Sequence, residues 1–545
     1  MKNIILSATA VVTLILSLNN NVLAEIQEDA DPAEVIIGER LFLETRFAQA
    51  YYANSVKSDP ALDKTITFNS SHNSPFAGQT MNCRACHMVD EHKDTPTAGM
   101  RSYADYAKRP PVPNRDDNSK TSGRNSMSMV NISLPFQGQN NQDAVFHFDG
   151  EFNSMEDLVR ATYTGRNFGW LVGEEKLAIA HIAKIIREDN GEDELAQEFG
   201  GRYSTLLKGT NKNLSEKFKL PKIYRLDVSK ATDKEIFDTV AKLVAVYVTN
   251  LTFQVDKNGN YTGSPYDAFL KKNNLSRQPI KNETSKDYSS RLLKEIDKLQ
   301  QPLFIKKAEG KFASHNQEFV FGKKELLGMK LFFSEGAKNS AGGNCVSCHT
   351  APHFSDFGFH NTGLAQQNYD ALHGQGSFKK LIIPGLEQRN NNHNEYLPAT
   401  IKHKDATSRF RSIAAKSKPG YIDLGLWNVF ANPDMPAPQK KLKHIMCQQT
   451  KENGSNNCST KALLDQTIAA FKTPVLRDLG HSNPYMHTGQ FDKLEKVIQF
   501  YITSSAQAKS NNLRNSEASL QKINLTQKDI GPLMAFLKSL NEDYE

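Results

Sequence analysis

Two short stretches constrain this chain more than any other feature. "MNCRACHMVD" carries Cys83, Cys86 and His87, and "GGNCVSCHTAPHFSD" carries Cys345, Cys348 and His349. Each is a Cys-x-x-Cys pair followed at once by histidine, in a 545-residue chain with only six cysteines. Closely spaced cysteines serve disulfides in oxidising compartments, zinc knuckles and thioredoxin-like redox pairs. The histidine decides among them. On a helical turn, positions i, i+3 and i+4 share a face. Two thiols there form thioethers to haem vinyl groups while the adjacent imidazole meets the iron. A thioredoxin-like pair needs no such histidine, and no βαβ pattern surrounds either motif. The sequence therefore predicts two covalently bound haem c groups. They attach at Cys83 and Cys86 and at Cys345 and Cys348, with His87 and His349 as axial ligands.

Cys447 and Cys458 lack such a histidine and flank the polar loop "QQTKENGSNN". They are expected to form a structural disulfide, stabilising by roughly 2–3 kcal/mol. The N-terminus reads "MKNIILSATAVVTLILSLNNNVLAE", with Lys2, an apolar run from Ile4 to Leu18, and Val22-Leu23-Ala24 before acidic residues. This is the pattern of a secretory signal cleaved after Ala24. The apolar run is short for a membrane span. The expected location is the periplasm, with no stable membrane insertion after cleavage. A mean hydropathy of -0.55 argues against an integral membrane protein. A net charge of +7 over this length favours at most an acidic partner. No Lys/Arg-rich run with interleaved aromatics points to nucleic acid.

Both motifs follow a related segment. "IIGERLFLETRF" (36 to 47) and "LLGMKLFFSE" (326 to 335) share two apolar residues, Gly, two residues, then Leu-Phe. After the motifs come "FHFDGEF" (146 to 152) and "FHNTGL" (359 to 364). Two related units in tandem explain this best. The polar stretch "YTGSPYDAFLKKNNLSRQPIKNETSKDYSS" (261 to 290) reads as a linker or crossing segment between them. Apolar stripes at helical spacing predict helices over 177–189, 235–251 and 492–502. The fold class predicted is mainly α: two tandem cytochrome c-like haem domains with long loops. Residues 1–24 are the signal, 25–310 the first domain and 311–545 the second.

In the second half, "GNCVSCHTAPHFSDFGFHNTGL" and "FKTPVLRDLGHSNPYMHTGQFDKLEKVIQFY" resemble the bacterial dihaem cytochrome c peroxidase family, including the MauG-like enzymes. In the first half the likeness runs through Cys83 to His87, "RNSMSMVN" and "FHFDGEF". Altogether it covers most of residues 36 to 505. The resemblance implies that hydrogen peroxide is reduced at the haem on Cys83 and Cys86. The haem on Cys345 and Cys348 would pass in electrons from a small donor protein, a cytochrome c or a cupredoxin. It also implies one Ca2+ between the domains. The second ligand of the C-terminal haem would lie fourteen residues beyond His487, at Tyr501, with Met486 as the rival. A tyrosinate is a hard, anionic donor and would favour ferric iron over what methionine allows. His487 is expected to hold a haem propionate or a backbone group.

The first half departs from the pattern. Phe148 stands before Asp149-Gly150 where the family has tryptophan, and Trp170 is either its substitute or a core residue. The family's catalytic glutamate maps to Glu174, with Glu175 beside it, at a slightly longer spacing; the alternative is an acidic helix N-terminus. The distal ligand of the first haem stays open among Tyr103, Met100, His92 and none. His147 is a further candidate, and His181 reads as a core residue. Two other functions remain alongside peroxide reduction. One is MauG-like, peroxide-dependent oxidation of a partner protein's side chain. The other is a non-catalytic dihaem electron-transfer cytochrome.

Overall fold

A computed structural model describes residues 31–48, 52, 82–84, 87, 124–136, 144–313, 315–452 and 454–543. Cys86, the candidate ligands His92, Met100 and Tyr103, and the expected signal over 1–24 lie outside the described residues. The first half contains α1 (Ala33–Leu43), α2 (Met155–Tyr163), α3 (Glu175–Glu188) and α4 (Asp233–Asn250). The second contains α5 (Pro265–Lys272), α6 (Ser285–Asp297), α7 (Lys323–Phe333), α8 (Gln439–Glu452), α9 (Leu494–Lys509) and α10 (Gln527–Lys538). Helices dominate the described residues, and none of those helices is long and apolar enough to cross a membrane.

The repeated Gly-x-x-Leu-Phe segments are helix crossings. α1 packs on α4, and a Cβ at Gly38 would collide with the Leu243 carbonyl oxygen and lie 2.9 Å from Tyr247 Cβ. α7 packs on α10 in the same way, where a Cβ at Gly328 would collide with the Pro532 carbonyl oxygen. Only glycine lets two helix backbones approach this closely. α4 starts at a capping box: the Thr232 hydroxyl accepts from Glu235 N–H at 3.3 Å, and the Glu235 carboxylate accepts from Thr232 N–H at 2.8 Å. Its inner face buries Ile236, Val240, Leu243, Val244 and Tyr247, the stripe the sequence predicts.

Three apolar clusters form the interior. The first spans Ala33 to Tyr261 and holds α1 to α4. The second runs from Tyr266 to Leu540. The expected linker over 261–290 belongs to this second cluster, so that expectation is corrected. Tyr266, Phe269 and Leu270 of α5 and Tyr288, Leu292 and Ile296 of α6 are buried in it. The boundary expected at 310 therefore falls inside this cluster. Arg477 fixes the arrangement. Its guanidinium is fully buried, donates to both Asp267 oxygens at 2.8 and 2.9 Å, pairs with Glu542, and stacks 3.9 Å from the Tyr261 ring. The third cluster joins Phe136, Val145 and Phe148 of the first half to Phe359, Trp427, Leu442 and Phe471 of the second. Two short strands run through it: β1 (Phe359–His360) pairs antiparallel with β2 (Phe471–Lys472). Cys447 and Cys458 are joined, as expected, with Cα atoms 5.2 Å apart.

Candidate functional site

The second Cys-x-x-Cys-His segment is a single tight turn. Asn344 takes a left-handed conformation (φ 48°) and opens a one-turn helix at Cys345–Ser347. His349 N–H then donates to the Cys345 carbonyl at 2.9 Å. Cys345 and Cys348 are free thiols, and burial pushes the Cys345 thiol up to about 12. The His349 Nδ1–H donates to the Phe354 carbonyl at 2.9 Å. That bond selects the tautomer with a bare Nε2, and burial lowers the ring's pKa and keeps it neutral. A metal-ligating histidine needs both conditions.

The first motif uses the same device. His87 N–H donates to the Cys83 carbonyl at 2.9 Å, and His87 Nδ1–H donates to the Met127 carbonyl at 2.9 Å. Burial pushes this imidazole down to about 4. The Cys83 thiol lies 4.0 Å from the Tyr163 hydroxyl, which donates to the Leu41 carbonyl. A cavity of about 60 Å³ borders Cys83 and His87, walled by Phe42, Met129, Val159, Phe168 and Val244.

The larger cavity, about 250 Å³, borders Cys345, Cys348 and His349. Phe332, Phe357, Phe471, Leu533 and Leu537 make its walls mostly carbon. Tyr501 of α9 and Met486 line it as well. The Tyr501 hydroxyl makes no hydrogen bond among the described residues, and burial raises its pKa. His487 is buried, stacks on Phe471 at 3.5 Å, and is pushed down to about 4 by burial, against the pull of Asp423. Its backbone carbonyl accepts from Asn125 N–H at 2.7 Å.

Three cavity residues escaped the sequence reading. β1 brings His360, held between Asp356 and Glu517 at 2.8 Å each. Burial works against its proton, but the Cys348 sulfur and the Asp356 carboxylate outweigh it and raise its pKa. β2 brings Lys472, whose ammonium donates to the Val145 carbonyl at 2.6 Å and is pushed down to about 7 by burial. Asn125 reaches from the first half to the Pro484 and Met486 carbonyls at 2.8 and 3.0 Å. The "FHNTGL" and "FKTPVL" stretches were visible as patterns, but their partners lie far away in sequence.

The arrangement fits haem. A thiol pair and a tautomer-locked imidazole face an apolar cavity, with a buried lysine for a propionate to neutralise. At the first motif Cys83 and His87 border the smaller cavity, and Cys86 lies outside the described residues.

Other predicted residues sit elsewhere. Glu174 is the N-cap of α3, and its Oε2 accepts from Leu171 N–H at 2.7 Å. It lines neither cavity. Glu175 Oε1 accepts from Gly173 N–H at 3.1 Å. His181 is a core residue, as expected; its Nε2–H donates to the Arg46 carbonyl at 2.9 Å. Trp170 is buried beside it, with ring centroids 5.7 Å apart. His147 lies 3.3 Å from Glu151 and lines neither cavity. Phe148 is in the wall of the large cavity, its ring 6.4 Å from that of His487. Beneath it, Arg124 pairs with Asp149 at 2.6 Å and with Asp423 at 2.6 Å.

No protein-family model matches the chain. It is similar to the methylamine utilization protein MauG of Methylophilus methylotrophus, 39% identical over 72 residues, or 13% of this chain and 20% of that protein. It is also similar to the cytochrome-c peroxidase IdrP2 of Pseudomonas sp. (strain SCT), 33% identical over 79 residues, or 14% of this chain and 19% of that protein. The matches thus span about a fifth of these curated relatives' length. Among solved structures, the diheme peroxidase BthA from Burkholderia thailandensis aligns over 94% of this chain and 86% of its own, at 17% identity and a TM-score of 0.43.

Proposed function

Because this chain is related to the dihaem cytochrome c peroxidases and MauG-like proteins, we propose that it is a periplasmic peroxidase with two covalently attached haem c groups. It reduces hydrogen peroxide to water, H2O2 + 2 e− + 2 H+ → 2 H2O, with electrons from a small reduced cytochrome c or cupredoxin. Bound haem would supply the iron at which peroxide is reduced and a second centre to feed it electrons. The carrying observation is the paired motif geometry. His87 and His349 each give Nδ1–H to a backbone carbonyl and keep Nε2 bare beside a cysteine-lined cavity.

The chain's own residues then have separable tasks. His87 and His349 would hold the two irons, and Cys83, Cys86, Cys345 and Cys348 would tether the two rings. Tyr501, which lines the larger cavity, would be the second ligand there. Lys472 and His487 face that cavity as the groups that would neutralise or bond a propionate. Proton transfer falls to Glu174 on the resemblance alone, since its carboxylate lines neither cavity. A Ca2+ between the halves would meet Asn125, whose Oδ1 is buried without a partner and whose amide group already faces two carbonyl oxygens.

The test is steady-state peroxide consumption by the haem-loaded protein with a reduced cytochrome c. Turnover no faster than that of free haem would reduce the chain to an electron-transfer cytochrome. Fractionation of cells expressing the full chain tests the periplasmic location. Tyr501 also favours a second reading, oxidation of a partner protein's side chain, since an anionic oxygen donor steadies oxidised iron. In that case peroxide added without donor leaves oxidising equivalents that persist and are discharged by the partner protein.

A further inference from the structure

Tyr163, Tyr288 and Tyr485 donate their phenol hydrogens to the carbonyls of Leu41, Ser276 and Leu479. A backbone carbonyl accepts a hydrogen bond but does not take up the proton. Tyr261, just before α5, is bonded differently. Its side chain is buried in the first apolar cluster. The Asn131 amide donates to its oxygen at 2.9 Å, and its own hydrogen goes to His353 Nδ1 at 2.6 Å. Burial pushes the His353 imidazole down to about 4, so the ring is neutral and Nδ1 offers a lone pair to the phenol. Burial also raises the pKa of Tyr261, which therefore keeps its proton until an electron leaves.

The pair stands one residue behind the wall of the larger cavity. Val130 and Ile132, on either side of Asn131, line that cavity. Phe357 lines it too, and its ring lies 6.0 Å from that of His353. His353 is followed by Phe354, whose carbonyl holds His349. On the other side, the Arg477 guanidinium lies 3.9 Å from the Tyr261 ring centre, paired with both Asp267 oxygens and with Glu542. A proton moved to His353 thus meets a neutralised group and not a bare cation. Phe148, Phe332, Phe357 and Phe471 of the cavity wall have no acidic hydrogen and are far harder to oxidise than a phenol.

We propose that Tyr261 and His353 form a redox-active pair that stores one of the two oxidising equivalents delivered by peroxide, an inference that rests on the peroxidase reading above. Tyr261 gives one electron to a haem that peroxide has oxidised. In the same step its O–H bond breaks and the proton forms an N–H bond at His353 Nδ1, leaving a neutral phenoxyl radical beside an imidazolium. An electron from the donor protein reverses the step: the radical is reduced and takes its proton back from His353. Asn131 keeps the phenol oxygen in place through both states.

The experiment is electron paramagnetic resonance of the haem-loaded full chain, frozen shortly after hydrogen peroxide is added without donor. An organic radical is expected whose splitting collapses when the chain is made with ring-deuterated tyrosine. Tyr261→Phe is expected to lose it. His353→Gln is expected to lose it as well, although the phenol remains and glutamine still accepts its hydrogen bond, because an amide does not take up the proton. Ferric haem absorption is expected to stay unchanged in both variants, which separates loss of the pair from misfolding. A radical insensitive to tyrosine deuteration, or one that persists in either variant, would overturn the assignment. So would haem absorption that changes with peroxide while no radical forms. Haem absorption that does not respond to peroxide at all would overturn the peroxidase reading and this inference with it.

Discussion

Gly328→Ala tests whether the internal repeat is a steric requirement of the fold. The added Cβ would lie 2.6 Å from the Pro532 carbonyl carbon and 2.8 Å from Phe536 Cβ, besides its collision with the Pro532 oxygen. Ordinary carbon contacts are about 3.5–4.0 Å, so α7 and α10 must part by roughly 1 Å. The atoms that lose contact belong to the aromatic cluster at the crossing, where Phe332 and Phe536 rings lie 5.2 Å apart and Phe354 and Phe536 rings 5.9 Å. Overpacking of this kind costs about 1–3 kcal/mol. Against it stands the better helix propensity of alanine, about 1 kcal/mol. A displacement across the whole crossing puts the net effect near the upper part of the range, about 2 kcal/mol of destabilisation. That is a fall in Tm of roughly 4–8 °C if the second half melts as one unit. Thermal unfolding of the haem-loaded chain, followed by circular dichroism, is the assay. Leu327→Ala is the control, since Leu327 is 51% exposed on the same helix. It is expected to change stability by less than about 1 kcal/mol. Gly38→Ala is expected to repeat the effect in the first half, at Leu243 and Tyr247. A neutral or stabilising Gly328→Ala would show that the close approach is not what the repeated glycine provides.

Tyr501→Phe keeps the shape of the α9 face and removes the oxygen donor. The ferric spectrum of the second haem is expected to change and its reduction potential to rise; an unaltered spectrum moves the ligand to Met486. Glu174→Gln is expected to slow peroxide turnover by about 100-fold or more if the carboxylate moves protons. The amide oxygen still accepts from Leu171 N–H, so the turn leading into α3 is retained, and unchanged turnover would confine Glu174 to that turn. Glu542 has its pKa raised from 4.5 to about 8, chiefly by burial, with Arg477 opposing. The folded state therefore holds a proton that the unfolded chain releases. This contribution to stability is full below about pH 4.5 and lost as pH rises to about 8. Glu542→Gln is expected to flatten the pH dependence of urea unfolding across that window, and an identical slope in both proteins would remove Glu542 as its source.

What could be read in the sequence was what is local. The second Cys-x-x-Cys-His segment is legible because its cysteines and histidine fall on one turn. The α4 stripe is legible because it repeats at helical spacing. The 261–290 stretch was misread because its charged and polar residues outnumber the three that matter on α5, Tyr266, Phe269 and Leu270. Burial of that stripe depends on α10 and on Arg477, more than two hundred residues away. Lys472 and His360 were quoted without a role for the same reason. Their meaning comes from strand pairing across 359–472, not from neighbours in sequence. For Glu174, an offset counted from Asp149-Gly150 gives a residue number. It does not show that the carboxylate accepts from its own turn.

The segment 124–132 links these observations physically. Arg124 anchors it to Asp149 of the first half and Asp423 of the second, and Asn125 anchors it to Pro484 and Met486. The Met127 carbonyl holds His87, while Met127 itself lines the larger cavity and Met129 lines the smaller. One backbone segment is therefore a wall of both cavities and the group that positions the His87 ring. Displacing it by a few tenths of an ångström would lengthen the His87–Met127 bond and reshape the cavity at His349 together, because the interior between them is close-packed. Coupling between the two sites then needs no relay of side chains. A perturbation at Asn125 reaches His87 through two residues of main chain.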